Sequence, residues 1–208
     1  PAARAALLER FERLSAEGYR VLGLATRPGD GMAGLTPEDE TGFELAGFLC
    51  FTDPPKADAA KAIAELAVLG VATRVITGDN RFAAAHAASA VGLDATTVLT
   101  GADLAGLDDE GLDTLVRGVS VFAEIDPLHK EAIVASLRRC GYTVGYLGDG
   151  IKDAPSLRNA DVGISVDTAV DVAKHSASIV LLEKDLAVLA EGIRQGRRVF
   201  ANTLKYVQ

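Results

Sequence analysis

Leu7, Leu8, Phe11 and Leu14 recur at helical spacing among Glu and Arg over residues 1 to about 17, and Gly18 ends that helix before the apolar stretch Val21 to Ala25. A Pro-, Gly- and acid-rich segment from Arg27 to Thr41 reads as a surface loop, and a second strand-like run follows at Phe43 to Phe51. Neither strand has an obvious partner nearby. From Asp53 onward the pattern becomes regular: a turn at Asp53-Pro54-Pro55, a helix near 57–69, a strand at Val71 to Ile76 and a helix after Asn80. Val119 to Ala123, Thr143 to Leu147, Val162 to Val166 and Ile179 to Leu182 are short apolar runs separated by helical patterns, as successive βαβ crossovers require. The expectation is an α/β fold with a doubly wound parallel sheet, in which ligands bind just past the carboxyl ends of the strands. Leu186 to Gln208 continues as one long helix without a capping signal, which suggests an element cut partway along.

Composition supports that class. Hydrophobic residues are 49% of the 208, aromatics only 5%, and Trp is absent, which suits helices on a small-residue parallel sheet. Twenty-nine acidic against 21 basic side chains give a net charge of -8, which repels nucleic acid and anionic lipid and favours cations or Mg-nucleotide as partners. Cys50 and Cys140 have no disulfide-framework or zinc spacing, consistent with a reducing cytosol. No apolar run is long enough for a membrane span and the N-terminus lacks a secretory pattern, so the chain as given is expected to be soluble.

Three strand ends carry groups suited to phosphoryl chemistry. Thr77-Gly78-Asp79-Asn80 follows one strand, and a Thr hydroxyl with backbone amides at a helix start cradles an anion. Asp149 and Asp153, in Gly148-Asp149-Gly150-Ile151-Lys152-Asp153, are carboxylates able to hold a hard divalent cation such as Mg²⁺. Lys130, in Asp126-Pro127-Leu128-His129-Lys130, can neutralise charge on a transferred phosphoryl group. Each also has a plainer reading: a helix-capping turn at Thr77, an N-cap at Asp153 before Ala154-Pro155, and a solvated helix lysine at Lys130. His86, His129 and His175 share no metal-ligand spacing, and the basic last helix has a solvated face as its default.

Taken together, Asp53-Pro54-Pro55-Lys56, Thr77-Gly78-Asp79-Asn80, Pro127 with Lys130, and Gly148-Asp149-Gly150 with Asp153-Ala154-Pro155 resemble the P-type ATPases. These are a branch of the haloacid-dehalogenase-like phosphotransferases. The resemblance runs over about residues 43–208 and is closest to the bacterial magnesium-transporting branch through Ala160 to Asp167, Ile179 to Lys184 and Gly196 to Tyr206. It implies that residues 1–52 are the end of a nucleotide-binding domain and 53–208 a phosphorylation domain lacking its first strand, with a hinge at Asp53 to Lys56. Residues 186–208 would be a stalk leading to absent membrane helices. It further implies ATP and Mg²⁺ as cofactors, a transported cation, and a cytoplasm-facing place in an inner-membrane protein.

For individual residues, the resemblance implies Asp149 as the metal ligand and Thr77, Lys130 and Asp153 as catalytic. Arg20, Gly78, Asp79 and Lys152 would lie around the nucleotide and phosphoryl group. The family's Asp-Lys-Thr-Gly loop, whose aspartate takes the γ-phosphoryl of ATP, is not among these residues, so the fragment alone is expected to be inactive. Lys152 stands where the family usually has Asn, and a cation there could pair with Asp149 or Asp153 and compete with Mg²⁺. Glu124 stands where several branches have Arg. The alternatives are a catalytically silent domain of the same fold, and a soluble haloacid-dehalogenase-like phosphatase. The latter would need an Asp-x-Asp loop on its first strand.

Overall fold

A computed structural model describes residues 2–28, 36–39 and 41–207, so part of the loop expected over Arg27 to Thr41 lies outside the described residues. The chain divides after Pro54 into two compact units. In the first, helix α1 (Ala2–Ala16) is followed by β1 (Tyr19–Thr26), a 3₁₀ turn (Pro37–Asp39) and β2 (Glu44–Thr52). The strands that lacked an obvious partner pair with each other, antiparallel, from Tyr19 opposite Thr52 to Thr26 opposite Glu44. Gly18 makes the turn into β1 with φ of 90°, a left-handed conformation open to glycine.

The second unit alternates strands and helices. α2 (Ala59–Val68), β3 (Val75–Ile76), α3 (Arg81–Ala90), β4 (Val98–Thr100), α4 (Gly101–Leu104), α5 (Asp109–Val116) and β5 (Val121–Ala123) form its first half. α6 (Pro127–Arg139), β6 (Gly145–Leu147), a 3₁₀ turn (Ile151–Asp153), α7 (Ala154–Asn159), β7 (Val162–Val166), α8 (Asp171–Ser176), β8 (Ile179–Leu181) and α9 (Leu186–Val207) complete it. All strand pairs here are parallel, as expected of βαβ crossovers. Their hydrogen bonds, however, make two three-stranded sheets, β3-β5-β4 and β6-β7-β8. Among the described residues, β3 and β6 each have one neighbour, so each leaves one edge without a strand partner.

Helices cover both faces. Phe122 points into a cluster with Leu112 and Val116 of α5 and Ile133 and Leu137 of α6, whereas its neighbours Val121 and Ala123 pack on Ala84 and Ala88 of α3. This is the period-two alternation of a strand buried on both sides, and each such large apolar side chain stabilises the fold by roughly 2 kcal/mol. Ile76 and Val144 pack against both this cluster and the one around Tyr146, Leu157 and Ile164, so the two sheets share a hydrophobic layer.

The strand expected at Val71 to Ile76 is only Val75–Ile76, because Val71 N–H turns back to the Leu66 carbonyl (2.9 Å) and closes the end of α2. β4 was not visible in the hydrophobic pattern, since its core is only Val98 and Leu99 between threonines. Among the described residues, no helix is long and apolar enough to cross a membrane.

Candidate phosphoryl-transfer site

Thr77 follows β3 directly. Its N–H donates to the Phe122 carbonyl (2.9 Å) and its carbonyl accepts from Ile125 N–H (3.0 Å), which ties the loop to the end of β5. The Thr77 hydroxyl donates to Asp79 Oδ2 and accepts from Asp79 N–H, both at 3.1 Å. Asn80 Oδ1 then accepts from Phe82 and Ala83 N–H at 3.1 and 3.0 Å, so the loop does cap α3. Gly78 is not forced by packing, because an added Cβ would sit at an ordinary 3.6 Å from the Ile125 carbonyl. Glu124 closes the other side: its N–H donates to the Asp79 carbonyl (2.8 Å) and its Oε1 accepts from Arg81 N–H (3.1 Å). It does so with φ of 56°, a left-handed conformation that costs a non-glycine residue about 1 kcal/mol or more.

Asp126 starts α6 by accepting from His129 N–H (2.8 Å), with Pro127 in the first turn where its missing N–H is harmless. One turn in, Lys130 is turned inward rather than solvated. Its Nζ donates to Asp153 Oδ1 at 2.7 Å, and the two side chains are only 15% and 12% exposed. Tyr146 of β6 donates its hydroxyl to the same Oδ1 (2.9 Å), and Gly150 N–H donates to Oδ2 (3.1 Å). Burial alone would raise the Asp153 pKa, but the donors Lys130, Gly150 and Tyr146 outweigh it and hold the carboxyl below its ordinary value. Burial, reinforced by the Asp153 carboxylate, pushes the Tyr146 hydroxyl well above the ordinary phenol value, so it remains a donor. Asp153 begins α7 by position but makes no side-chain cap there; its carboxylate is spent on this network.

Asp149 lies at the end of β6, four residues before Asp153. Gly148 N–H donates to the Ile164 carbonyl (3.1 Å) and Ser165 Oγ donates to the Gly148 carbonyl (2.9 Å), anchoring the turn to β7. Gly148 has to be glycine: an added Cβ would lie 2.6 Å from Asp153 Cβ. The Asp149 carboxylate is about half exposed and borders a cleft of about 360 Å³, floored by Leu147, Val166 and Leu181 and edged by Pro55 and Lys184.

The cation on Asp149 is Lys184, not Lys152. Lys184 Nζ approaches Asp149 Oδ2 at 3.1 Å, and the Lys184 carbonyl accepts from Lys56 Nζ. Lys152 is exposed on the 3₁₀ turn and pairs with neither Asp149 nor Asp153, because that turn directs Asp153 inward and its neighbour outward.

A continuous path therefore joins Thr77 to Ile125, α6, Lys130, Asp153 and Gly150 beside Asp149. Arg20 is on β1 of the first unit. Tyr146 and Lys184 join the site without having been singled out for it by their sequence motifs. Lys184 follows β8, where the strand-end rule would have flagged it; a tyrosine inside a short buried strand calls for a polar partner. Among the described residues there is no group of three or more His, Cys, Asp or Glu side chains that could hold a metal alone.

Residues 7–161 match the family described as haloacid dehalogenase-like hydrolase. Over 98% of its length the chain is 49% identical to "Magnesium-transporting ATPase, P-type 1" of Salmonella typhimurium strain LT2, of which it covers 23%. It is 46% identical over 95% of its length to the Escherichia coli K12 protein of that name, covering 22% of it. It is also 36% identical over its whole length to "Probable cation-transporting ATPase F" of Mycobacterium bovis, covering 24%. The chain thus spans about a quarter of the length of these relatives. With its parallel α/β architecture and matched residues, the chain belongs to the haloacid dehalogenase-like hydrolases.

Proposed function

We propose that this chain is the phosphorylation-domain portion of an ATP-driven cation pump that works through an aspartyl phosphate, with magnesium or a related divalent cation as the transported ion. The observation that carries the reading is the buried Lys130–Asp153 pair, linked on one side to the Thr77 loop and on the other to Asp149. That arrangement suits phosphoryl transfer, in which the protein positions groups and neutralises developing charge.

In this reading Thr77 and the amide of Gly78 receive phosphoryl oxygens, Asp79 orients the Thr77 hydroxyl, Lys130 offsets the phosphoryl charge, and Asp153 orients Lys130. Asp149 would hold Mg²⁺, which uses one or two carboxylates together with phosphate and water; that suits a lone half-exposed carboxylate from which the ion would displace the Lys184 ammonium. The bound ion would supply charge neutralisation at the phosphoryl group. The acceptor aspartate would come from an upstream Asp-Lys-Thr-Gly strand. Such a strand fits the two free edges of β3 and β6, both of which end at candidate residues. Residues 1–52 would belong to the nucleotide-binding domain, with Arg20 directed to nucleotide phosphates and Lys152 near the phosphoryl group. Residues 53–56 would be the hinge and α9 the stalk toward membrane helices, which would make this a cytoplasm-facing part of an inner-membrane protein. The silent-domain alternative, with Lys152 in place of the metal, finds no support in a lysine that pairs with neither aspartate.

The test is ATP hydrolysis by the full-length parent in membranes. Mg²⁺-dependent hydrolysis that disappears in Asp149→Asn is expected; hydrolysis unaffected by that change would remove Asp149 from the site.

A further inference from the structure

Tyr146 stands out among the residues around the site because its hydroxyl serves neither packing nor any strand hydrogen bond. Tyr146 is 8% exposed and its ring packs with Leu157 and Ile164, space that a phenylalanine would fill equally well. The hydroxyl must then be matched to a partner, since an unsatisfied buried hydroxyl costs about 1–3 kcal/mol. The partner is Asp153 Oδ1, the same oxygen that receives Lys130.

With Gly150 N–H on Oδ2, the carboxylate is held by donors at both oxygens, and its plane decides where the Lys130 ammonium lies. A second observation points the same way. A Cβ at Gly148 would lie 2.6 Å from Asp153 Cβ, 2.9 Å from its Cγ and 3.0 Å from Tyr146 Cε1, so the metal-turn backbone, Asp153 and the tyrosine ring pack as one block without slack.

We propose that Tyr146 is a positioning residue which, through Asp153, fixes the Lys130 ammonium at the phosphoryl site. The inference rests on the phosphoryl-transfer reading and adds to it a residue that touches neither substrate nor metal. Without the hydroxyl, Asp153 keeps Lys130 and Gly150 but loses the donor that opposes rotation of its carboxylate. Lys130 then samples positions displaced from the one that neutralises the transferring group. Ground-state nucleotide binding, which does not depend on Lys130 alignment, is left as it was.

The experiment uses the full-length parent in membranes and single-turnover labelling by γ-labelled ATP with Mg²⁺, for wild type, Tyr146→Phe, Lys130→Met and the double variant. Tyr146→Phe should slow maximal labelling by about 10-fold, the loss of one charge-assisted hydrogen bond, with the ATP concentration for half-maximal rate unchanged. In the Lys130→Met background it should cause no further loss. An unchanged maximal rate in Tyr146→Phe, or losses that multiply in the double variant, would overturn the assignment.

If the wild type itself takes no label, it is the phosphoryl-transfer reading that fails. Tyr146 is then judged by melting of the 208-residue chain in a double-mutant cycle of Tyr146→Phe with Asp153→Ala. Coupling of at least ~3 °C between the two changes supports the positioning contact, and additive shifts refute it.

Discussion

Replacing Gly163 by alanine is expected to damage the fold and the site together. Gly163 lies on β7 opposite Tyr146, and a Cβ there would lie 2.2 Å from the Leu157 carbonyl oxygen and 3.0 Å from its carbon. Both are backbone atoms of α7, so no side-chain rotation relieves the clash. Reaching even a tight carbon–oxygen separation of ~3.2 Å requires α7 to move off β7 by about 1 Å. Overpacking of this kind costs about 3 kcal/mol, the upper part of its usual range, because the neighbour that must yield is backbone.

α7 begins immediately after Asp153, so the same shift pulls the carboxylate from Lys130 and would stretch their 2.7 Å bond toward the limit of hydrogen bonding. A misplacement of about 1 Å in a catalytic group can cost ~100-fold in rate. Urea unfolding of the 208-residue chain, following the transition of the second unit, gives the stability loss; ATP hydrolysis by the parent gives the rate. Gly145→Ala is the control. It is on the neighbouring strand of the same sheet, but its Cβ would meet Ile164 Cδ1 at 3.7 Å and the Val162 carbonyl oxygen at 3.9 Å, both ordinary contacts. It should change stability by less than ~1 kcal/mol. A Gly163→Ala chain as stable as the Gly145→Ala chain would mean that α7 does not seat on β7 at Gly163.

Lys130→Met leaves the Asp153 carboxylate buried with only Tyr146 and Gly150 as donors, and should destabilise the second unit by about 3 kcal/mol in denaturant unfolding. Because Asp153 has a folded-state pKa below its unfolded value, its contribution is complete above the ordinary 3.8 and is lost as pH falls through the lower folded value. The melting-temperature gap between wild type and Asp153→Ala should therefore narrow on acidification below about pH 4 and stay constant above pH 6. Lys184→Ala should change stability by under ~1 kcal/mol, since its pair with Asp149 is more than half exposed. In titrations of the parent's hydrolysis it should lower the Mg²⁺ concentration needed for half-maximal activity, by removing the competing cation.

Much of the second unit was legible because its strands are short, mostly apolar runs and several of its helices begin with recognisable caps. Val162–Val166 was read with both ends correct, and Asn80 and Asp126 both cap the helices they precede. β4 was not legible because a three-residue strand between polar neighbours carries no period to detect. The division of the sheet was equally hidden, since hydrophobic runs announce strands without announcing which edges meet. In the site, the residue types after β3, β5 and β6 pointed to phosphoryl chemistry, but partner choice did not follow from spacing. Lys152 adjoins Asp153 in sequence and turns away from it, whereas Lys130 reaches it from 23 residues upstream. Tyr146 and Lys184 sit where a buried tyrosine and a strand end mark them as candidates, but their partners, Asp153 and Asp149, emerge only from the folded chain.

The most direct test is to expose the full-length parent in membranes to γ-labelled ATP and Mg²⁺ and to characterise any labelled protein. An acid-stable, hydroxylamine-labile phosphoprotein, dependent on Mg²⁺ and greatly reduced in Lys130→Met, is the predicted result. Hydrolysis of ATP without such an intermediate, or an intermediate formed equally well without Lys130, would contradict the assignment of this buried lysine–aspartate pair to an aspartyl-phosphate site.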